Sequence, residues 1–252
     1  MPIKSYTAQS PEFNTADYIM HDALESAVEV ALALGQPLLL TGEPGTGKTR
    51  LAYKVAADLA SEGFLPEPLK FNTKTTSVAR DLFYTYDAVA HFQAANIKQS
   101  GEQHPSTAEF IELQALGKAI AYSNPTAVDT SKVKTELPDT PKNSVVLVDE
   151  IDKAPRDFTN DILNEIENYQ FNIKELSNYS LKKNKDKQVL IIMTSNSEKN
   201  LPDAFLRRCV FYHIPFPNDK LLLKIAQKQL GTSNSFTEQA LKDLIAAFEK
   251  IR

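Results

Sequence analysis

Residues 38–49 constrain this chain more than any other stretch. Leu38-Leu39-Leu40 reads as a buried strand, Thr41 to Gly47 as a tight turn, and Lys48-Thr49 as the opening of a helix. The run from Gly42 to Gly47, Lys48 and Thr49 satisfies G-x-x-x-x-G-K-[ST], the spacing of a loop that cradles phosphates. Several backbone N–H groups must converge on one point there, and glycines permit it because they tolerate positive φ and close approach. The helix that follows adds free N–H groups and the positive end of its dipole. Of the chain's 8 glycines, Gly42, Gly45 and Gly47 fall in this one turn, which a plain connecting loop would not require. Gly42, Glu43, Pro44, Gly45, Thr46, Gly47, Lys48 and Thr49 are therefore the candidate nucleotide contacts, with Lys48 reaching the β/γ-phosphates and Thr49 ligating Mg²⁺.

A chain of 252 residues accommodates one large α/β domain or a core with a small appendage. A net charge of −4 argues against bulk nucleic-acid binding. Cys209 is the single cysteine, which excludes an internal disulfide framework and suits a reducing compartment. No apolar run nears the roughly 18 residues of a membrane helix, and no apolar leader follows Met1. The expected location is the cytoplasm.

Apolar residues at helical spacing predict a helix over 17–34, stopped by Gly35 and Pro37. A second helix is expected from Thr49 to Ser61, stopped by Gly63, and a strand over 69–72. Residues 78–96 read as mostly helical, with Phe83, Tyr84, Tyr86 and Phe92 as a core or interface group. A loop over 98–106, a helix over 107–123 and a long polar connection follow. Val145 to Val148 is a fully apolar strand ending in Asp149-Glu150, and 157–170 reads as a helix. A lysine-bearing hairpin tip is expected at 177–187, then strands over 189–193 and 211–215. Helices from about Asp219 and Thr237 close the chain, with Asn218 or Asp219 and Thr237 as N-caps. Strands that are nearly all apolar, alternating with helices, predict a parallel sheet covered on both faces. Functional side chains then belong at the C-terminal strand ends.

Asp149, Glu150 and Asn196 all occupy such ends. After four apolar residues, Asp149 is placed to hold a Mg²⁺ shell and Glu150 to orient or deprotonate an attacking water. Asn196 can hydrogen-bond that water or a γ-phosphate oxygen, with Thr194 and Ser195 as polar neighbours.

Taken in order, Gly42–Thr49, Val145–Glu150, Thr194-Ser195-Asn196 and Leu201-Pro202-Asp203-Ala204-Phe205-Leu206-Arg207-Arg208-Cys209 resemble the AAA+ ATPases, and within them the MoxR-like group. The resemblance runs from about Tyr18 to the final helices. It implies a P-loop three-layer αβα sandwich over residues 1–216, with an insert in the second core helix (about 83–106) and a hairpin (about 177–188), both toward a ring's central channel. Residues 217–252 would form a partial helical lid. It further implies adenine contacts near Tyr18 and Ile19, and a trans-acting arginine at Arg208 or Arg207 that reaches the neighbouring subunit's nucleotide. The partners it implies are ATP/ADP, further copies in a hexameric ring, and a protein bearing a von Willebrand factor A-type domain. Beyond Arg208 the only arginine is Arg252, so no second sensor residue is assigned; more chain, or another part of the assembly, is expected to complete the lid.

The leading expectation is thus an ATP-hydrolysing ring that remodels, activates or loads a partner protein. A nucleotide-gated assembly switch with little hydrolysis is the alternative that the short lid favours. A DNA-handling ATPase has only Lys182, Lys183, Lys185 and Lys187 in support. A small-molecule kinase fits least, because a metal-site Asp followed by Glu, with tandem arginines, suits phosphoryl transfer to water.

Overall fold

The computed structural model describes residues 14–97, 105–196, 201–230 and 237–251. Most of the expected lead-in, most of the 98–106 loop, and Arg252 lie outside them.

Four-residue apolar runs have no polar side to offer water, so they end up in the middle of a sheet. Strands β1 (Leu38–Thr41), β2 (Leu69–Asn72), β5 (Ser144–Asp149), β8 (Val189–Thr194) and β9 (Val210–His213) form a five-stranded sheet in the order β2-β5-β8-β1-β9, every neighbouring pair parallel. Period-two alternation splits each strand between two cores. Leu38 and Leu40 of β1, Val145 and Leu147 of β5, and Leu190 and Ile192 of β8 face helices α1 (Asp22–Leu34) and α2 (Lys48–Asp58), which contribute Leu24, Val28, Leu51 and Val55. Leu39, Val146, Val148, Ile191 and Met193 face the other way, onto α4 (Ala115–Ser123), α5 (Arg156–Asp161) and α6 (Leu163–Asn168) through Leu116, Ile120, Phe158 and Ile166. The result is the three-layer αβα sandwich. Gly35 ends α1 in the left-handed region (φ 63), as its position after the apolar stripe predicts.

Three expectations need correction. Residues 78–96 are not one helix: a 3₁₀ turn (Ala79–Leu82) leads into strand β3 (Tyr84–Tyr86), and only Ala88–Ile97 (α3) is helical. Nor is 107–123 one helix, because β4 (Ile111–Leu113) pairs antiparallel with β3, Tyr84 opposite Leu113 and Tyr86 opposite Ile111. Pairing satisfies these short segments because Tyr, Thr and Ile fit a pleated surface, and Phe83 and Tyr84 bury their rings against Phe171 at centroid distances of 5.1 and 6.2 Å. Phe92, by contrast, is exposed on α3.

The third correction concerns the hairpin. Its strands are β6 (Gln170–Ile173) and β7 (Tyr179–Lys182), so it begins before residue 177, and Gln170 belongs to a strand rather than to the preceding helix. Residues 183–188 are the return to β8. There the Lys183 ammonium donates to the Lys187 carbonyl at 2.7 Å and sits 5.3 Å from the Tyr169 ring centroid. Lys183 therefore closes a turn instead of standing in solvent.

Helix α7 (Asp203–Leu206) carries Arg207 and Arg208 at its end. Helices α8 (Asp219–Leu230) and α9 (Glu238–Ile251) close the chain. Asn218 Oδ1 accepts from the Leu221 N–H at 3.0 Å and Thr237 Oγ1 from the Ala240 N–H at 3.2 Å, so both expected residues act as N-caps.

The β3–β4 ladder is tied to α4 by a backbone approach that only glycine allows. A Cβ on Gly117 would lie 1.9 Å from the Phe83 carbonyl oxygen. Helix propensity alone would favour alanine by about 1 kcal/mol. Overpacking against backbone costs about 1–3 kcal/mol and wins. Gly117→Ala should lower the urea unfolding midpoint, with the near-ultraviolet signal of the buried tyrosines changing alongside.

Candidate nucleotide site

Loop 42–47 turns between β1 and α2 at the C-terminal edge of the sheet. Gly42 has φ 145, and a Cβ there would lie 2.5 Å from the Ile214 carbonyl oxygen. Gly47 has φ 88, and a Cβ would press on the Tyr18 ring at 3.1 Å. Both are positions only glycine fills without strain. Gly47 precedes α2 with no side-chain cap, so no capping side chain occupies the first-turn N–H groups of that helix. Thr46 Oγ1 donates to the Glu43 carbonyl at 2.9 Å and braces the turn.

Lys48 is buried, and its ammonium donates to the carbonyls of Gly42 at 2.7 Å and Glu43 at 2.9 Å. Burial lowers its pKa and the nearby carboxylates of Asp152, Asp149 and Glu150 oppose that, leaving it below the ordinary lysine value. This is a cation held beside the turn with few competing partners.

The acidic end of β5 faces the loop. Asp149 Oδ1 accepts from Thr49 Oγ1 at 2.8 Å and from Thr194 Oγ1 at 2.7 Å, while Oδ2 lies 3.2 Å from the Lys70 ammonium. Burial pushes the Asp149 carboxyl up, but the bonds from Thr194, Thr49 and Lys70 outweigh it and hold the group below the usual carboxylate range. Glu150 takes the left-handed conformation, φ 56 and ψ 51, and its N–H donates to Thr194 Oγ1 at 2.8 Å. One threonine hydroxyl thus fixes both acidic residues. The Glu150 carboxylate is ion-paired with Lys153. Asn196 follows β8, with its N–H 3.4 Å from Asp152 Oδ1.

These groups converge on one cavity of about 820 Å³. Pro44 to Thr49 form one wall, Asp149, Glu150, Thr194 and Asn196 a second, and Tyr18 and Ile19 a third. Gly42 and Glu43 stand behind the wall and hold Lys48 through their carbonyls. The volume falls within the roughly 300–1,000 Å³ of small-molecule pockets. The donor set suits a triphosphate: open N–H groups, one buried cation, and an oxygen-only pair in Thr49 and Asp149 of the kind a hard divalent ion takes.

Other lining residues were not singled out from sequence. His21 caps α1 by accepting from the Leu24 N–H at 3.3 Å and lies 3.4 Å from the Tyr212 hydroxyl. Leu221, Leu222, Ile225 and Gln229 of α8 form the fourth wall. Their i, i+1, i+4 spacing marks an apolar stripe, but not what the stripe faces. Arg50 Nη1 donates to Gln229 Oε1 at 3.4 Å, and Lys228 Nζ donates to the Ala16 carbonyl at 3.3 Å, so α8 is tied both to the phosphate loop's helix and to the segment before Tyr18. Among the described residues, α8 and α9 bring no arginine to the cavity.

Arg207 and Arg208 do not line this cavity. Both are exposed, and Arg208 pairs with Glu167 of α6 while its Nη1 donates to the Ala204 carbonyl at 2.9 Å. Cys209 is half-buried beside them, with burial pushing its thiol up to about 12, and it packs as a small apolar side chain. No described helix is long and apolar enough to cross a membrane.

A family model for the AAA domain (dynein-related subfamily) matches residues 37–209, from the first core strand to the end of the arginine pair. Comparison with curated proteins finds no match. The matched span contains the phosphate loop, the acidic strand end and the Asn196 strand, and the sheet that carries them is the parallel one such a domain requires. This chain belongs to the AAA domain family, in its dynein-related subfamily.

Proposed function

We propose that this AAA+ chain binds ATP with Mg²⁺ and hydrolyses it within a ring, and that the cycle remodels, activates or loads a partner protein in the manner of the MoxR-like group. The observation that carries the reading is the single cavity in which the phosphate loop, Asp149, Glu150 and Asn196 meet. Tyr18, Ile19 and the apolar face of α8 offer the base a greasy slot, with α8 and α9 acting as a lid over a core that ends near residue 216. Lys48 swings from its two carbonyls to the phosphates. Thr49 and Asp149 would hold the Mg²⁺, which would supply positive charge to offset that of the phosphates. Glu150 orients and deprotonates the attacking water, with Asn196 as its second contact.

Among the described residues, the lysine and arginine side chains that line the cavity are Lys48 and Arg50, neighbours on the first turn of α2. Arg208, with Arg207 beside it, lies on an outer surface from which it can serve a neighbouring copy in a ring, hexameric by resemblance. A partner with a von Willebrand factor A-type domain is the protein class that resemblance implies. The segment carrying the β3–β4 ladder and the β6–β7 hairpin are the surfaces offered to it.

The test is specific ATPase activity as a function of protein concentration. It should rise as rings form, and Arg208→Ala should remove the rise by roughly 10³-fold in turnover while leaving ATP binding intact. Activity per chain that is flat with concentration and indifferent to Arg208→Ala would overturn the shared site. A second reading, a nucleotide-gated scaffold with little hydrolysis, draws on the Glu150–Lys153 ion pair, which occupies the carboxylate of the proposed base. It requires ATP-dependent assembly with no turnover even in the assembled state.

A further inference from the structure

Asp149 is expected to receive Mg²⁺, yet its carboxylate already has three partners. Two hydroxyls donate to Oδ1, from Thr49 at 2.8 Å and Thr194 at 2.7 Å. The remaining oxygen, Oδ2, faces the Lys70 ammonium at 3.2 Å. Lys70 comes from β2, the edge strand beside β5, where it stands opposite Leu147 and Asn72 stands opposite Asp149. Its side chain crosses two positions along the strand to reach the carboxylate. Only about a third of the Lys70 side chain is exposed, and 14% of that of Asp149, so water screens this pair less than a surface pair.

We propose that Lys70 is a positioning residue for the metal-binding carboxylate: a built-in counter-cation that occupies Asp149 before the divalent ion arrives and yields to it. This rests on the nucleotide reading above. Two consequences follow from charge alone. Before metal binds, Lys70 keeps the half-buried Asp149 carboxylate compensated and aimed at Thr49, so the site is formed in advance. When metal binds, a dication and an ammonium compete for one carboxylate, and their repulsion weakens the metal. A neutral side chain of similar length at position 70 should therefore bind Mg²⁺ more tightly. Arginine should restore the competition, because it keeps the charge. A lysine with a purely structural role predicts neither result.

The readout is binding rather than turnover. Fluorescent methylanthraniloyl-ADP is bound to the protein in EDTA, and MgCl₂ is then titrated against a fixed nucleotide concentration. For Lys70→Met the Mg²⁺ concentration that half-saturates the added binding should fall about fivefold or more relative to the unsubstituted chain. Lys70→Arg should stay within about twofold of the unsubstituted chain, and metal-free binding should remain measurable in both variants. The metal-free measurement also shows that each variant folds. Unchanged or weakened Mg²⁺ response in Lys70→Met overturns the exchange role while leaving the nucleotide site standing. Absence of any nucleotide binding by the unsubstituted protein overturns the nucleotide reading itself, and this inference with it.

Discussion

Lys48→Ala should abolish measurable ATP binding at micromolar nucleotide while leaving the fold intact. The Lys48 ammonium is buried, and in this structure it is satisfied by the carbonyls of Gly42 and Glu43 rather than by a carboxylate. Those are neutral acceptors, so exchanging them for phosphate oxygens is strongly favourable. Charge-assisted hydrogen bonds contribute about 1.5–3 kcal/mol each. Losing two of them corresponds to roughly 10²–10⁴-fold in dissociation constant, at about 1.4 kcal/mol per tenfold. The cost to the fold is small by the same reasoning. Alanine vacates the space of the Lys48 side chain, which lines the cavity, so water can enter there to reach the two carbonyls, and it removes a cation whose burial was itself unfavourable. Isothermal titration with ATP and urea unfolding without ATP separate the two effects. An affinity loss below tenfold would mean that Lys48 braces the turn and does not contact phosphate.

Legibility of the site follows from where its parts lie. Central parallel strands are buried on both faces and read as unbroken apolar runs, so β1, β5 and β8 were plain, and with them the residues at their ends: Thr41-Gly42, Asp149-Glu150 and Thr194 to Asn196. The loop was plain because its backbone demands glycine at Gly42 and Gly47, where a Cβ would meet Ile214 or Tyr18. Hidden parts depend on pairings between distant residues. Strands β3 and β4 are three residues each, too short for alternation to register, and they are paired across residues 87–110. Helical spacing on both sides then drew them into helices. Gln170 looked like the end of a helix because its strand partner, Lys182, is twelve residues away. The fourth wall of the cavity was visible only as an apolar stripe on α8, and the Lys70–Asp149 contact depends on the order in which strands lie side by side. Strand order, with β2 at the edge next to β5, is a tertiary fact that no local pattern carries.

Glu150→Gln should retain ATP binding within about threefold and lose turnover by about 10²–10⁴-fold, the range that a positioned general base supplies. Glutamine keeps the size and the hydrogen-bonding reach but cannot take a proton from water. Removing the charge also breaks the pair with Lys153, but both side chains are more than 40% exposed, so stability should move by less than about 1 kcal/mol. The backbone supplies a second, independent check. Glu150 is held at φ 56, a conformation that costs a non-glycine residue about 1–3 kcal/mol and persists only where its surroundings impose it. Here they do so through the bond from its N–H to Thr194, which aims the residue beside Asp149. Glycine tolerates that conformation, so Glu150→Gly should unfold at the same urea concentration as the parent chain or a higher one, offset in part by greater freedom in the unfolded state. It should nevertheless be as inactive as the glutamine variant. Stability preserved or gained with activity lost in both variants would mark position 150 as strained for the sake of its carboxylate. Turnover near the parent rate in either variant would remove Glu150 as the base and leave Asp152, which also faces Asn196, as the acid to test next.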